Sequence, residues 1–185
     1  MALAIKRIGY GQVEPNHLSA QYTGQIYAQL PAETIANNVK TPIAQLENGQ
    51  FLRYDYANGV ATTGEGDGEW MLVFNEVKLY DERRQAYKDF AMKTSDMMDG
   101  LIYPRLLKTN MGDIFTTNTF GAAAAGPDAE QASAVTLSVG NKLAVNPSTG
   151  FLAIAGENAT GPIFQVVKEY DLADQQAAVK LQRIQ

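Results

Sequence analysis

Runs of alternating apolar and polar residues, cut at short intervals by turn residues, dominate the chain from about residue 40 onward. Such alternation sends successive side chains to opposite faces and predicts strands. Residues 42–46 form a short apolar piece that ends at Glu47-Asn48-Gly49-Gln50, a turn signal. In residues 51–56, Phe51, Arg53 and Asp55 share one face, and Leu52, Tyr54 and Tyr56 share the other. Ala57-Asn58-Gly59 follows and predicts a hairpin, because Asn and Gly accept the positive φ that tight hairpins need. Residues 70–79 begin with the continuous apolar run Trp70-Met71-Leu72-Val73-Phe74, which predicts burial on both faces. Pro104 within 101–107 marks an edge or a strand end. Further strand pieces over 114–120, 134–139, 151–155, 163–170 and 177–184 are separated by Gly-, Asn- and Pro-bearing turns and by a loop of small residues at 121–133. The spacing predicts a mainly β fold: a small barrel, a β-tulip or a sandwich.

Two segments depart from this grammar. Residues 1–35 lack a sustained period of either 2 or 3.6 and are punctuated by Gly9, Gly11, Pro15, Gly24 and Pro31. Their larger apolar side chains, among them Ile8, Tyr10, Tyr22, Ile26, Tyr27 and Leu30, recur without forming a face. We read the segment as an extended arm whose spaced tyrosines contact a partner, since the ring buries area while the hydroxyl stays wet. Simple disorder and a core-packed lead-in are the alternatives. In residues 81–98, Tyr87, Phe90, Ala91, Thr94 and Met98 continue from Tyr80 near helical spacing, which predicts one short helix; two short strands around Arg83-Arg84-Gln85 are the alternative. The expected organisation is an arm over 1–35 and a β-domain over 36–185 with an insertion at 81–99.

Composition narrows the chemistry. The chain has 185 residues, no Cys and a single His, His17, so thiol catalysis, Cys-ligated metals and multi-His sites are excluded. Fifteen basic and twenty acidic residues leave a net charge of −5. With no run of Lys or Arg, the chain lacks the basic face that phosphate neutralisation requires, and nucleic acid is not an expected partner. The acidic balance also disfavours anionic membrane surfaces, and no apolar stretch approaches the ~20 residues of a spanning helix. The first residues place charge after a very short apolar piece, the wrong order for a secretory signal. A soluble protein with protein or small polar partners is the expectation.

No motif carries strong chemistry. Gly64-Glu65-Gly66-Asp67-Gly68-Glu69 is glycine-rich, but its three carboxylates repel phosphate and no P-loop Lys follows. It also lacks the ligand spacing of an EF-hand, and we read it as a solvated hairpin tip. Asp55, Glu76, Asp81 and Glu82 lie on or beside strands as any acidic β-protein offers, so a carboxylate-pair enzyme is a minor reading. Ser138 and Ser148 lack a His partner. Lys78, Arg83, Arg84 and Lys88 interleave with Asp81, Glu82 and Asp89, as on a salt-bridged surface. Met92, Met97, Met98 and Met111 suit core filling or an adaptable interface. No catalytic residue, cofactor or metal is expected.

A family likeness lies in the order of strands and turns. Gly49-Gln50-Phe51-Leu52-Arg53-Tyr54-Asp55-Tyr56 runs into Asn58-Gly59. Later come Tyr103-Pro104-Arg105, Gly112-Asp113-Ile114-Phe115-Thr116-Thr117-Asn118 and Gly140-Asn141-Lys142-Leu143-Ala144-Val145. Gly150-Phe151-Leu152-Ala153-Ile154 and a closing Ala178-Val179-Lys180-Leu181-Gln182-Arg183-Ile184 complete the series. Over residues 40–80 and 100–185 the pattern resembles the small β-barrel or β-tulip proteins that decorate and cement tailed-phage heads; 81–98 and the arm depart from their smallest members. The resemblance implies a virion structural protein, made in the host cytoplasm, that binds the major capsid protein on the outer face of the expanded shell. It also implies a homo-oligomer, trimeric at local threefold positions. A different phage structural component, a head-fibre base or a tail or adsorption protein with a carbohydrate-binding face, is the alternative. An exposed Trp70 would favour that alternative.

Overall fold

The computed structural model describes residues 2–20, 26–64, 66, 68–75, 78–81, 86–89, 91–123, 125–126, 129–131, 133–157 and 159–185, with 78–81 and 86–89 described by backbone alone. Strands are numbered in chain order. One antiparallel sheet runs β17 (Leu152–Ile154), β16 (Lys142–Val145), β18 (Ile163–Asp171), β19 (Ala177–Arg183), β14 (Ile114–Thr117), β2 (Val13–His17). A second runs β3 (Ile26–Tyr27), β13 (Leu106–Leu107), β9 (Met71–Val73), β7 (Phe51–Asp55), β8 (Val60–Thr62). Four two-stranded ribbons flank them: β1 (Leu3–Ile5) with β15 (Val135–Leu137), β4 (Glu33–Ala36) with β5 (Val39–Pro42), β6 (Gln45–Glu47) with β12 (Ala91–Lys93), and β10 (Lys78–Asp81) with β11 (Ala86–Asp89). The protein is therefore mainly β, and its sheets pack as a small sandwich; among the described residues no sheet closes into a barrel.

Period-2 alternation decides which side chain enters which layer. Phe51, Leu72 and Leu107 point from the second sheet into a core shared with Phe115, Leu143, Phe164, Val179 and Leu181 of the first. Phe51, Phe115 and Phe164 meet at its centre, with ring centroids 5.3 to 6.5 Å apart. Leu52, Tyr54, Met71, Val73 and Leu106, the alternate positions of the same strands, form a second core with Ala32, Leu46, Ala61 and Ile102. The second sheet is thus buried on both faces, as the run 70–74 predicts.

The segment expected as an arm is woven into the fold. Its described residues supply β1, β2 and β3, and its last residues begin β4. Ile5, Val13, Leu18 and Ala20 belong to the central core. The absence of a face has a physical cause: each short piece completes the edge of a different sheet, so no single period runs through it. Polar bonds fix it further. Gly9 N donates to the Ala129 carbonyl, Gln12 N to Asn118 Oδ1, and the Ser19 hydroxyl to Asp113 Oδ1 at 2.5 Å. Arg7 and Glu47, both fully buried, form an ion pair at 3.0 Å. Gly11 donates its N–H to the same Glu47 oxygen at 2.8 Å, and a Cβ on Gly11 would collide with Thr119 and with the Asn48 carbonyl.

The helix expected over 81–98 reduces to a single 3-10 turn, Thr94–Asp96. The described residues before it are strands, matching the alternative of two strands about Arg83-Arg84-Gln85, residues that lie outside the described set except for the flanking β10 and β11. Register sets Tyr80 opposite Tyr87 and Lys78 opposite Asp89. A seven-residue spacing that mimics a helical stripe is equally the spacing of two partners across a hairpin, as the register of Tyr80 and Tyr87 has it.

Candidate interaction surface

Of the six residues singled out as partner contacts, Ile8 alone is both described and well exposed, at 49%. Tyr10 is buried, with the Lys93 ammonium 5.2 Å from its ring centre. Ile26 packs against the central core, and Tyr27 and Leu30 against the second. Tyr22 lies outside the described residues. These apolar side chains are thus occupied largely by the protein's own cores.

Exposed large apolar groups are spread over the protein: Ile8, Met111, Val139 and Ile154 lie apart from the second core, and Val39, Tyr56, Met98 and Tyr103 lie around it. β4 and β5 are joined by Asn37-Asn38, both at positive φ (51° and 62°), the geometry of a two-residue hairpin turn. This hairpin presents Val39, which is exposed. Lys40, next to it, donates from Nζ to the Asn58 carbonyl and ties the hairpin to the β7–β8 turn. That turn presents Tyr56, 65% exposed, with its ring 5.5 Å from Tyr54 in an edge-on contact; Tyr54 meets Tyr27 in the same way at 5.8 Å. Tyr56 is thus a solvent-facing ring braced from below. Met97 packs on the second core while its neighbour Met98 is fully exposed, and Tyr103 is exposed beside buried Ile102. Met92 packs against the second core and Met111 is exposed. Large exposed aromatic and thioether groups beside polar turns are the composition that protein interfaces use.

The Tyr56 turn is held electrostatically. Asp55 accepts from Asn58 twice, at Oδ2 from the side-chain amide (2.7 Å) and at Oδ1 from the backbone N–H (2.9 Å). These bonds, with a smaller contribution from Lys40, hold the Asp55 carboxyl below the usual carboxylate value. A depressed folded-state pKa stabilises the fold above the unfolded value, and that contribution is lost as pH falls through the folded value. Asn58→Ala removes the side-chain bond and is expected to move the Asp55 titration up toward the ordinary carboxylate range, read by carboxyl-carbon NMR; an unmoved midpoint would assign the depression to groups other than the Asn58 side chain.

Asp55 is engaged as above; the side chains of Glu76, Asp81, Glu82, Lys78, Arg83, Arg84 and Lys88 lie outside the described residues, as do Glu65 and Asp67 of the glycine-rich loop. Glu69 of that loop pairs with Lys108 at 3.1 Å. Among the described residues no group of three or more His, Asp or Glu side chains is placed to hold a metal ion, and no helix is long and apolar enough to cross a membrane. Trp70 is buried, with the Arg53 guanidinium 4.8 Å above its ring. Comparison with protein-family models, with curated proteins and with solved structures returned no match.

Proposed function

We propose that this chain is a virion structural protein that binds the outer surface of a tailed-phage capsid and stabilises the head. Its partner is then the major capsid protein, and it acts as a homo-oligomer, a trimer by the resemblance that suggests the role. The resemblance of the strand-and-turn order over 40–80 and 100–185 motivates the reading. The observation that carries it is the exposed set Val39, Tyr56, Met98 and Tyr103 around the second core. These groups are costly to leave in water and suited to burial against a protein lattice. An acidic chain of net charge −5 suits a site outside the shell, away from packaged DNA. Repetition over many lattice sites lets modest single contacts hold. Burial of Trp70 weighs against the alternative in which an exposed indole stacks on sugar.

The test is co-sedimentation with expanded, decoration-free heads. The intact protein is expected to bind saturably. A Val39→Ser/Tyr56→Ser variant is expected to bind roughly tenfold or more weakly, since truncating an interface aromatic commonly costs about 2 kcal/mol and 1.4 kcal/mol is tenfold. A folded protein that leaves the heads bare overturns the reading. Undiminished binding by the double variant removes this surface from it.

A further inference from the structure

We propose that the cleft between the β4–β5 hairpin, β8 and the 146–150 turn is a binding site for a carboxylated monosaccharide unit, of the uronic-acid type. The proposal stands apart from the capsid reading and does not depend on it. The cleft has a volume of about 300 Å³ and is lined by Thr34, Arg53, Thr62, Thr63, Pro147 and Ser148 among others. That volume is at the small end of ligand pockets and suits one sugar ring rather than a chain.

Arg53 is the only charged side chain in the lining. Its guanidinium is fixed twice: Nε donates to the Gly64 carbonyl at 2.7 Å, and the plane sits 4.8 Å from the Trp70 ring centre. Both contacts leave the two terminal nitrogens as a fork. Among the described residues no carboxylate pairs with them. Glu65 and Asp67 of the adjoining loop lie outside the described residues; a rigid guanidinium fork with no carboxylate partner among the described residues matches a carboxylate in two parallel charge-assisted bonds.

The rest of the lining fits the remainder of a sugar. Thr62, buried in the cleft wall, accepts at Oγ1 from Gly64 N. The hydroxyls of Thr63 and Ser148 make no hydrogen bond within the described residues. Pro147 and Ile35 add apolar surface for the C–H face of a ring. One fixed cation with several hydroxyl groups is a donor–acceptor set for a polyol that carries a single carboxylate. A simple anion would use the cation and leave the hydroxyls unserved.

Trp70 is the chain's sole tryptophan and touches Arg53, so its fluorescence responds to changes at this site. Glucuronate titrated into the full chain is expected to shift the emission saturably, whereas glucose and acetate at equal concentration leave it unchanged. Arg53→Gln is expected to weaken glucuronate by roughly tenfold or more, the loss of a charge-assisted pair. Ser148→Ala, on an exposed turn that the core does not need, is expected to weaken it several-fold and carries the test should Arg53→Gln fail to fold. Absence of a saturable glucuronate response overturns the proposal. So does an equal response to acetate or to a glutamate-bearing tripeptide, which would make the cleft a general carboxylate or acidic-peptide site. Unchanged affinity in both Ser148→Ala and a folded Arg53→Gln places the ligand elsewhere and overturns it as well.

Discussion

Deleting residues 1–35 is expected to abolish folding. The sequence pattern, read alone, casts this segment as an arm that a β-domain could lose and survive. Its packing says otherwise. Ile5, Val13 and Leu18 are buried in the central core, and burial of such side chains is worth about 1.5–3 kcal/mol each. Those three alone are comparable to the ~5–15 kcal/mol by which a domain of this size is stable. The deletion also strips partners from three strands. β14 loses β2, β15 loses β1, and β13 loses β3, so unpaired backbone and open edges appear together. Circular dichroism and urea denaturation of the truncated chain should show no cooperative transition, and most of the protein should sediment as aggregate. A soluble truncated domain with a cooperative unfolding curve would return the segment to the status of an arm. For the same reason, capsid binding lost on truncation would report unfolding, and point substitutions at Val39 and Tyr56 are the informative variants.

How much was legible follows from the range of the interactions involved. Residues 51–56 and 70–74 carry their structure locally. Alternation assigns Phe51 to one core and Leu52 and Tyr54 to the other, and the continuous apolar run marks a strand covered on both faces. Residues 163–170 and 177–184 likewise become β18 and β19 almost as read. Glu47-Asn48-Gly49-Gln50 shows the limit. It is a turn, as its residues predict, yet Glu47, Asn48 and Gln50 are buried where polar turn residues ordinarily face water. Their partners come from distant positions: Arg7 and Gly11 for Glu47, Asn75 for Asn48, and the Thr149 carbonyl for Gln50. No local pattern encodes a partner forty residues away. The interaction surface was half legible for a related reason. The turn after Tyr54 could be read from Asn58-Gly59, but the exposure of Tyr56 depends on the strand ending at Asp55 and on Tyr54 filling the layer beneath.

The same long-range seam makes Arg7→Met the substitution with the largest expected effect of any single change. Arg7 and Glu47 are fully buried and paired at 3.0 Å; the second Arg7 terminal nitrogen donates to the Ala122 carbonyl at 2.6 Å, and Gln45 Nε2 donates to Glu47 at 3.0 Å. Burial pushes the Arg7 guanidinium below its ordinary value, and the charge and hydrogen bonding of Glu47 oppose that shift. Removing either charge alone strands the other inside the protein, which typically costs about 3–5 kcal/mol. For a chain of this length that corresponds to a fall in Tm of roughly 6–20 °C. Replacing both at once is a different matter. Arg7→Met/Glu47→Gln leaves no buried charge, retains an acceptor for the Gly11 N–H, and keeps an aliphatic chain in the space of the arginine stem. Paired replacement of buried ions by neutral groups is often close to neutral, so the double variant is expected within about 2 kcal/mol of the parent. Urea denaturation of the two single variants, the double variant and the parent then gives a coupling energy of at least ~2 kcal/mol. Additive single effects would mean that Glu47 is held by Gly11 and Gln45 rather than by the arginine. A coupled cycle would identify this ion pair as the contact that locks residues 1–35 against the sandwich, and so as the reason a segment without a hydrophobic face is ordered at all.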